Sequence, residues 1–502
     1  MYAVRGQLWF SLLLLYILAG CQKEDPPQFV DVPDDAFLAA LIEQGVDLDG
    51  DGKICPCEAR EVRFLDVHEK GLTDLTGIEA FVNLDSLYCY LNQLSELDLS
   101  ANTALKTLAC WDNVLTSLDV SHCRSLKILD CISNHLGTLD VSGNPELEIL
   151  LCGWCWLTAL DVTANPKLTS LFLAMNSLSE LDLSGNPELV YLDCSSNHGL
   201  PTVDLSHNPK LKELNCTYNS MTTLDVSMNT ELERFVCDIS ALTSLDVSNN
   251  TKLVRFGCSQ NYLTSLDVSN LSNLNFFRCD HNELATLDVS GSGDLAYLYC
   301  NDNTISGLDL SNNGKLKTLD CGNNSLGSLD VSGAADLGFL YCEDNSISGL
   351  DLSNNTKLEV LYCGNNPLGS LDVSGNPLLE KLYAKNNQLT VLDVSALAEL
   401  AMLHCGGNQL TVLDLSGNPL LEVLDCSGNF FSTLDLSNNP LLGSDIWYFY
   451  NYTLDHAIED IVLSDMPGLM EVCVWTLPFP PEGVTVDTTG SPNAFFTTSC
   501  SF

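Results

Sequence analysis

The chain has 502 residues, with 21 Lys and Arg against 66 Asp and Glu, for a formal charge of −45 at pH 7. That balance makes nucleic acid and anionic lipid surfaces poor partners and favours basic ligands or divalent cations. A strict leucine and cysteine periodicity further along means that one repeat array absorbs most of the length, in place of several separate domains.

In chain order, Met1–Gly20 reads as a secretory signal, with Arg5 at its positive start and an apolar run from Leu8 to Leu18. Leu18-Ala19-Gly20-Cys21 resembles a bacterial lipobox, which implies that Cys21 is the acylated first residue of the mature protein. Gln22-Lys23-Glu24-Asp25 is similar to the export signal of Bacteroidetes lipoproteins displayed on the outer face of the outer membrane. The expected location is therefore the outer membrane, lipid-anchored and exposed at the cell surface. No later stretch approaches the roughly 18 apolar residues that span a bilayer, so the anchor is the expected contact with the membrane. Residues 21–33, with Pro26-Pro27, read as the lipidated cysteine and a short stiff tether.

Residues 34–83 read as an N-terminal cap. Asp34-Asp35 opens a helix with Phe37, Leu38, Leu41 and Ile42 at helical spacing, and Gly45 ends it. Residues 47–58 follow the pattern of an EF-hand or dockerin loop, with Asp47, Asp49, Asp51 and Glu58 at positions 1, 3, 5 and 12 and Gly52 at position 6. Ca²⁺ takes six to eight hard oxygens. This spacing wraps four carboxylates and the Lys53 carbonyl around one point, and the expected role is a structural Ca²⁺ that locks the cap. Cys55 and Cys57 are too close in sequence for easy mutual bridging, and no role is assigned to them.

From Leu84 to Leu441 the chain repeats L-x-x-L-x-C-x-x-N-x-L-x-x-L-D-V-S-x-N-x-x in 17 units of 21 residues, one of them a residue longer near His198-Gly199. A period of this length with this signature predicts a leucine-rich-repeat solenoid. It is β-rich, a curved parallel sheet with little helix, a small helical N-cap and an irregular C-cap. Positions 3 to 7 should form a strand whose positions 4 and 6 point inward. Position 6 is Cys in 15 units, the exceptions being Leu173 and Ala384. A slot that also accepts Leu or Ala wants a small apolar filler, and free cysteine is one. A row of identical positions suits neither disulfides nor zinc. Position 9 is Asn in 15 units, and position 15 is Asp in all 17. The Asn side chains should satisfy backbone groups of the turn. The Asp row should be hydrogen-bonded on the outer limb or neutralised by cations. Units of 21 residues with a cysteine ladder and L-T-x-L-D-V-S-x-N resemble the internalins, which implies a surface protein that binds a host or neighbouring-cell ligand through its concave face.

Recognition should lie on positions that the core does not dictate: 3, 5, 7 and 8. Tyr297, Tyr299, Phe339, Tyr341, Tyr362, Tyr383 and His404 make a candidate ligand stripe for a glycan or an apolar protein patch. Its bland alternative is cross-strand stacking of good strand formers. A weaker cluster is Tyr88, Tyr90, Trp111, Trp154 and Trp156. The scattered His residues give no support for catalysis, so the expectation is a non-enzymatic, adhesin-like monomer. A spacer lipoprotein without a specific ligand is the alternative. In residues 442–502 the register breaks at Trp447–Tyr452, and Cys473, placed outward, pairs with Cys500 to close the cap.

Overall fold

The computed structural model describes residues 29–443, 460–481 and 484–500. The signal, Cys21, most of the tether and Trp447–Tyr452 lie outside them. The chain is a parallel β-solenoid of about 20 turns with very little helix. By internal packing it divides into two units, Met1–Met221 and Thr222–Phe502. Among the described residues no helix is long and apolar enough to cross a membrane.

The first unit opens with α1 (Asp35–Glu43), whose N-cap Asp34 accepts from Ala36 N–H and Phe37 N–H. The other Asp34 oxygen accepts from Thr73 and Asp74 N–H, so one carboxylate caps the helix and fastens it to the first solenoid turn. The buried face is Phe37, Ala40 and Leu41, whereas Ile42 is exposed, outside the face its spacing suggested. A short helix α2 (Pro56–Ala59) follows the acidic loop. The strands are β1 (Phe64–Asp66), β2 (Ser86–Tyr88), β3 (Thr107–Ala109), β4 (Ile128–Asp130), β5 (Ile149–Leu151), β6 (Ser170–Phe172), β7 (Tyr191–Asp193) and β8 (Glu213–Asn215), each pairing in parallel register with the next. The open edge of β1 is covered by Gln44, whose side chain bonds both the N–H and the C=O of Asp66.

The second unit's own strand face runs through β9 (Arg234–Val236), β10 (Arg255–Gly257), β11 (Phe276–Arg278), β12 (Tyr297–Tyr299), β13 (Thr318–Asp320), β14 (Phe339–Tyr341), β15 (Val360–Tyr362), β16 (Lys381–Tyr383), β17 (Met402–His404) and β18 (Val423–Asp425). Beyond it lie β19 (Thr433–Asp435), β20 (Ile461–Val462), β21 (Glu471–Cys473), β22 (Val486–Asp487) and β23 (Phe495–Thr497).

Strands cover only positions 3 to 5 of each unit, shorter than the five residues expected. The reason is position 8, where the backbone turns into the left-handed region in every repeat, at Leu91, Asp112, Trp154, Asp302 and Asn365 for example. Position 9 makes that turn affordable. Asn113 Nδ2 donates to the carbonyls of Cys89 (3.0 Å) and Cys110 (3.1 Å), and its Oδ1 accepts from Leu94 N–H (3.0 Å). Asn134 and Asn282 repeat this pattern one and eight units on. A second asparagine row, at position 19, does a similar service on the return limb: Asn144 Nδ2 donates to Val120 and Cys123 carbonyls at 2.9 Å.

Apart from half-buried Leu308, the leucines at positions 1, 4, 11 and 14 are buried, and Phe235, Phe256 and Phe277 stack at position 4 with centroids 5.5 and 5.4 Å apart. Truncating one such buried leucine to Ala removes about 2–5 kcal/mol. The ladder cysteines are buried free thiols, as position 6 predicted.

The C-terminal cap departs from the expectation. After β18, β20 and β22 continue the strand face, and β19, β21 and β23 form a parallel three-stranded sheet on the return limb. The cap is thus two further turns, and Cys473 lies buried on the return limb at 2% exposure, not outward. Its bridge to Cys500 is present. Cys55 and Cys57 are also bridged, contrary to the sequence reading: Pro56 at the start of α2 bends the chain so that their Cα atoms are 5.3 Å apart.

Candidate functional site

Two places carry chemistry that the core does not explain: the acidic loop of the cap and the outward residues of the strand face.

In the loop, Gly50 and Gly52 adopt φ of +77° and +80°, which side chains resist, and this folds the acids together. Asp47 accepts from Gly50 N–H (2.7 Å) and Gly52 N–H (2.9 Å), bonds that hold its carboxyl below the usual range. Glu58 is 7% exposed and accepts from Leu48 N–H and Cys55 N–H, both at 2.8 Å. Carboxylate oxygens of Asp47, Asp49 and Glu58 lie within 4.8 Å of one another. Of the other two residues read as ligands, Asp51 accepts from Lys53 N–H (2.8 Å) and is not in that group, and Lys53 Nζ sits 4.4 Å over the Phe29 ring. Three converging hard oxygens with a bend of two glycines fit a cation of the Ca²⁺ type.

On the strand face of the second unit, the tyrosine stripe is packed on itself. Tyr341 meets Tyr362 at 5.0 Å, Tyr362 meets Tyr383 at 4.0 Å, and Tyr383 stacks on His404 at 4.1 Å with planes 8° apart. The Tyr383 hydroxyl donates to Met402 Sδ at 2.9 Å. His404 is 5% exposed, and burial lowers its pKa. Asp425 beside it is held well below the carboxylate range. Burial opposes this, but hydrogen bonds from its neighbours, among them Lys385 and Ser427, outweigh it. Tyr297 and Tyr299 lie apart from this column and pack on Phe276, at 6.2 and 5.6 Å. Phe339, on β14, is half-buried. In the first unit, Tyr90 and Trp111 extend a stack that begins at His68, while Trp154 and Trp156 are exposed and lie against Phe172 and His135.

The sequence reading missed an arginine group. Arg234 and Arg255 stand directly opposite each other in the β9–β10 register, both exposed, and the Arg255 guanidinium lies 4.0 Å over Phe276. Arg278 is tied to Asp280 (2.9 Å) and approaches Asp238 (3.8 Å). Like charges directly opposite on paired strands oppose each other, and that signal was readable from the 21-residue spacing of Arg234 and Arg255. Further along, Asp320 is 5% exposed, and Glu343 Oε2 is buried without a hydrogen-bond partner. Burial pushes both carboxyls up to about 7, with the Glu343 charge adding to it at Asp320 and the Asp344 and Asp302 charges adding to it at Glu343. On the return limb the Asp row is exposed, each member accepting from the Ser or Thr two residues on, as Asp267 does from Ser269 N–H (3.0 Å) and Oγ (2.7 Å).

Strand ladder, thiol row and asparagine rows define a cysteine-ladder leucine-rich-repeat protein. Models of the LVIVD repeat match residues 256–280 and 382–404, and a leucine rich repeat model matches residues 409–430. The functional domain of InlJ from Listeria monocytogenes, described as including a cysteine ladder, is 36% identical over 68% of this chain and 77% of that one, with a TM-score of 0.64. The chain belongs to the internalin J-like cysteine-ladder leucine-rich-repeat family. A Leptospira interrogans leucine-rich-repeat protein shares the fold at 24% identity, over 70% of this chain and 92% of its own, with a TM-score of 0.58. The plant peptide hormone receptor RGFR1, in complex with RGF2, shares it at 21% identity, over 84% and 76%, with a TM-score of 0.64. No curated protein matches the chain.

Proposed function

We propose that the chain is a non-enzymatic recognition protein, lipid-anchored through Cys21 at the outer surface of the outer membrane. It binds a protein or glycan ligand of a host or neighbouring cell through its strand face, as a monomer. One observation carries this reading. In every turn the inward positions are committed to the core and the Asn and Asp positions to the backbone, so the outward residues of the strands are left to differ from turn to turn. Their side chains include exposed arginines, rings and buried carboxylates that packing does not require. The similarity to the InlJ domain and to a receptor solved with its peptide hormone supports recognition as the class of activity. The cap loop holds Ca²⁺ through Asp47, Asp49 and Glu58, which stiffens the start of the solenoid.

The test is a protein and glycan array probed with the mature chain, with and without Ca²⁺. A ligand whose binding is lost on strand-face substitution, with the fold intact, supports the reading. Binding to nothing on either array sinks it. The spacer alternative is favoured by one observation, the self-stacked column from Tyr341 to His404. Replacing Tyr341, Tyr362 and Tyr383 by Ser should then lower stability, with no ligand on either array for the substitution to weaken.

A further inference from the structure

The second unit's strand face carries two unmatched charges of opposite sign with an apolar floor between them. At one end, Arg234 and Arg255 are parallel neighbours, and among the described residues neither is in an ion pair. Several other cations of this acidic chain are matched between turns, as in Lys252–Glu231, Lys315–Asp294 and Lys357–Asp336. Asp238 is close enough for its charge to act on Arg255, but it accepts from Ser259 N–H and is shared with Arg278. The two facing guanidinium groups therefore still gain from an anion placed between them, since a planar fork takes a carboxylate through paired N–H bonds. Arg278 is not available for this, being already tied to Asp280.

At the other end, Asp320 and Glu343 have the reverse problem. Asp320 is buried and Glu343 half-buried, the Glu343 charge acts on Asp320, and Asp302 is close enough to act on both. Gly322 makes the room, because a Cβ there would stand 3.2 Å from the Glu343 carboxyl carbon. The Glu343 Oε2 atom is buried with no partner. Between the two ends lie Phe276, Tyr297 and Tyr299, half-buried, with both tyrosines packed on Phe276.

We propose that this face binds an extended peptide segment of a partner protein, with an acidic side chain seated between Arg234 and Arg255 and a basic side chain on Asp320 and Glu343. An apolar side chain lies between them on Phe276, Tyr297 and Tyr299. The spacing follows from the ladder. β10 and β13 are three strands apart, about 14 Å at ~4.8 Å per strand, which an extended chain crosses in about four residues at ~3.3 Å each. A uniformly acidic or sulfated polymer does not fit, because a net charge of −45 repels it everywhere but at the arginines. The segment must carry both signs. This inference rests on the recognition reading above and specifies its ligand class.

The test is selection of a displayed random decapeptide library on the full mature chain, followed by binding of the selected peptides as synthetic, fluorescently labelled probes. Sulfated and neutral glycans run in parallel. The expected winners pair an acid and a base about four residues apart around an apolar residue. The R234Q/R255Q double variant should weaken such a peptide by at least about tenfold, and D320N/E343Q should do the same independently. Replacing the peptide's own acid by Gln should remove the effect of the arginine variant alone, a readout that misfolding would not give. Winners without the charge pair, or winners indifferent to both variants, would overturn the inference while leaving a recognition protein. Binding to a glycan alone would overturn it in the same way. No binding to peptides or glycans would take the proposed function down with it.

Discussion

Asn113 reaches back one whole turn to bond the carbonyl of Cys89 at 3.0 Å, 24 residues earlier in the chain. The same Nδ2 also donates to Cys110 C=O in its own turn, so each asparagine stitches two consecutive ladder cysteines at the backbone while their thiols fill the core.

Removing that stitch leaves the Leu94 N–H buried and unpaired and takes from each carbonyl one of two asparagine donors, since Asn92 still bonds Cys89 C=O and Asn134 still bonds Cys110 C=O, both at 3.0 Å. Asn113→Ala should lower unfolding stability by about 1–3 kcal/mol, the cost of one orphaned buried group. Asn113→Cys should be milder, because the natural Cys155 places its Sγ 3.1 Å from Cys131 C=O in the same role. Urea midpoints decide it, and an unchanged midpoint for Asn113→Ala would show that water replaces the side chain.

The ladder thiols should be inert in the folded chain. Burial pushes Cys89 up to about 12 and Cys258 well above the ordinary thiol range, so no thiolate forms near neutral pH. Thiol labelling of the native protein should modify none of them. Mass mapping should find two bridges, Cys55–Cys57 and Cys473–Cys500. Cross-linked ladder cysteines in native protein would contradict the account of position 6.

Chelation tests the cap. Without a cation the carboxylates of Asp47, Asp49 and Glu58 repel each other, and with Ca²⁺ they are bridged. EDTA should lower the melting temperature by several degrees and Ca²⁺ should restore it, by mass action on the folded state. Glu58→Gln should abolish the response. A melting curve indifferent to both reagents removes the site.

Lowering the pH from about 7 towards about 4 should relieve Asp320 and Glu343 of the second unit. The Asp row and Asp425, held below the usual carboxylate range, cost stability as pH falls further. Asp320 and Glu343 have pKa values of about 7 when folded, against ordinary values when unfolded. Between those limits the folded chain binds more protons than the unfolded one, so stability falls as pH rises from about 4 to about 7. Asp320→Asn removes part of this loss. It should melt higher than the wild type at pH 8 and at the same temperature at pH 4. An equal gap at both pH values would show that the carboxyl is not strained.

The repeat period settled the inward side of every turn before any coordinate was known. Leu, Cys and Asn at fixed positions each have one physical use in a continuous core. Bridging of Cys55 to Cys57 was not legible, because sequence distance alone does not reveal the bend that Pro56 imposes. Cys473 was misplaced because the return limb of the last turns reads, residue by residue, like another strand-face segment.

What the sequence alone determined was periodic: the solenoid, its thiol row, its asparagine turns and its hydrogen-bonded aspartates, since a side chain repeated every 21 residues meets its own kind in the next turn. What only the tertiary structure decided was aperiodic. Whether a tyrosine on the strand face is free or leaning on its neighbour depends on the residue across the ladder and on rotamers. So Tyr362 is packed between Tyr341 and Tyr383, while Arg234 and Arg255 stand exposed side by side, neither in an ion pair among the described residues.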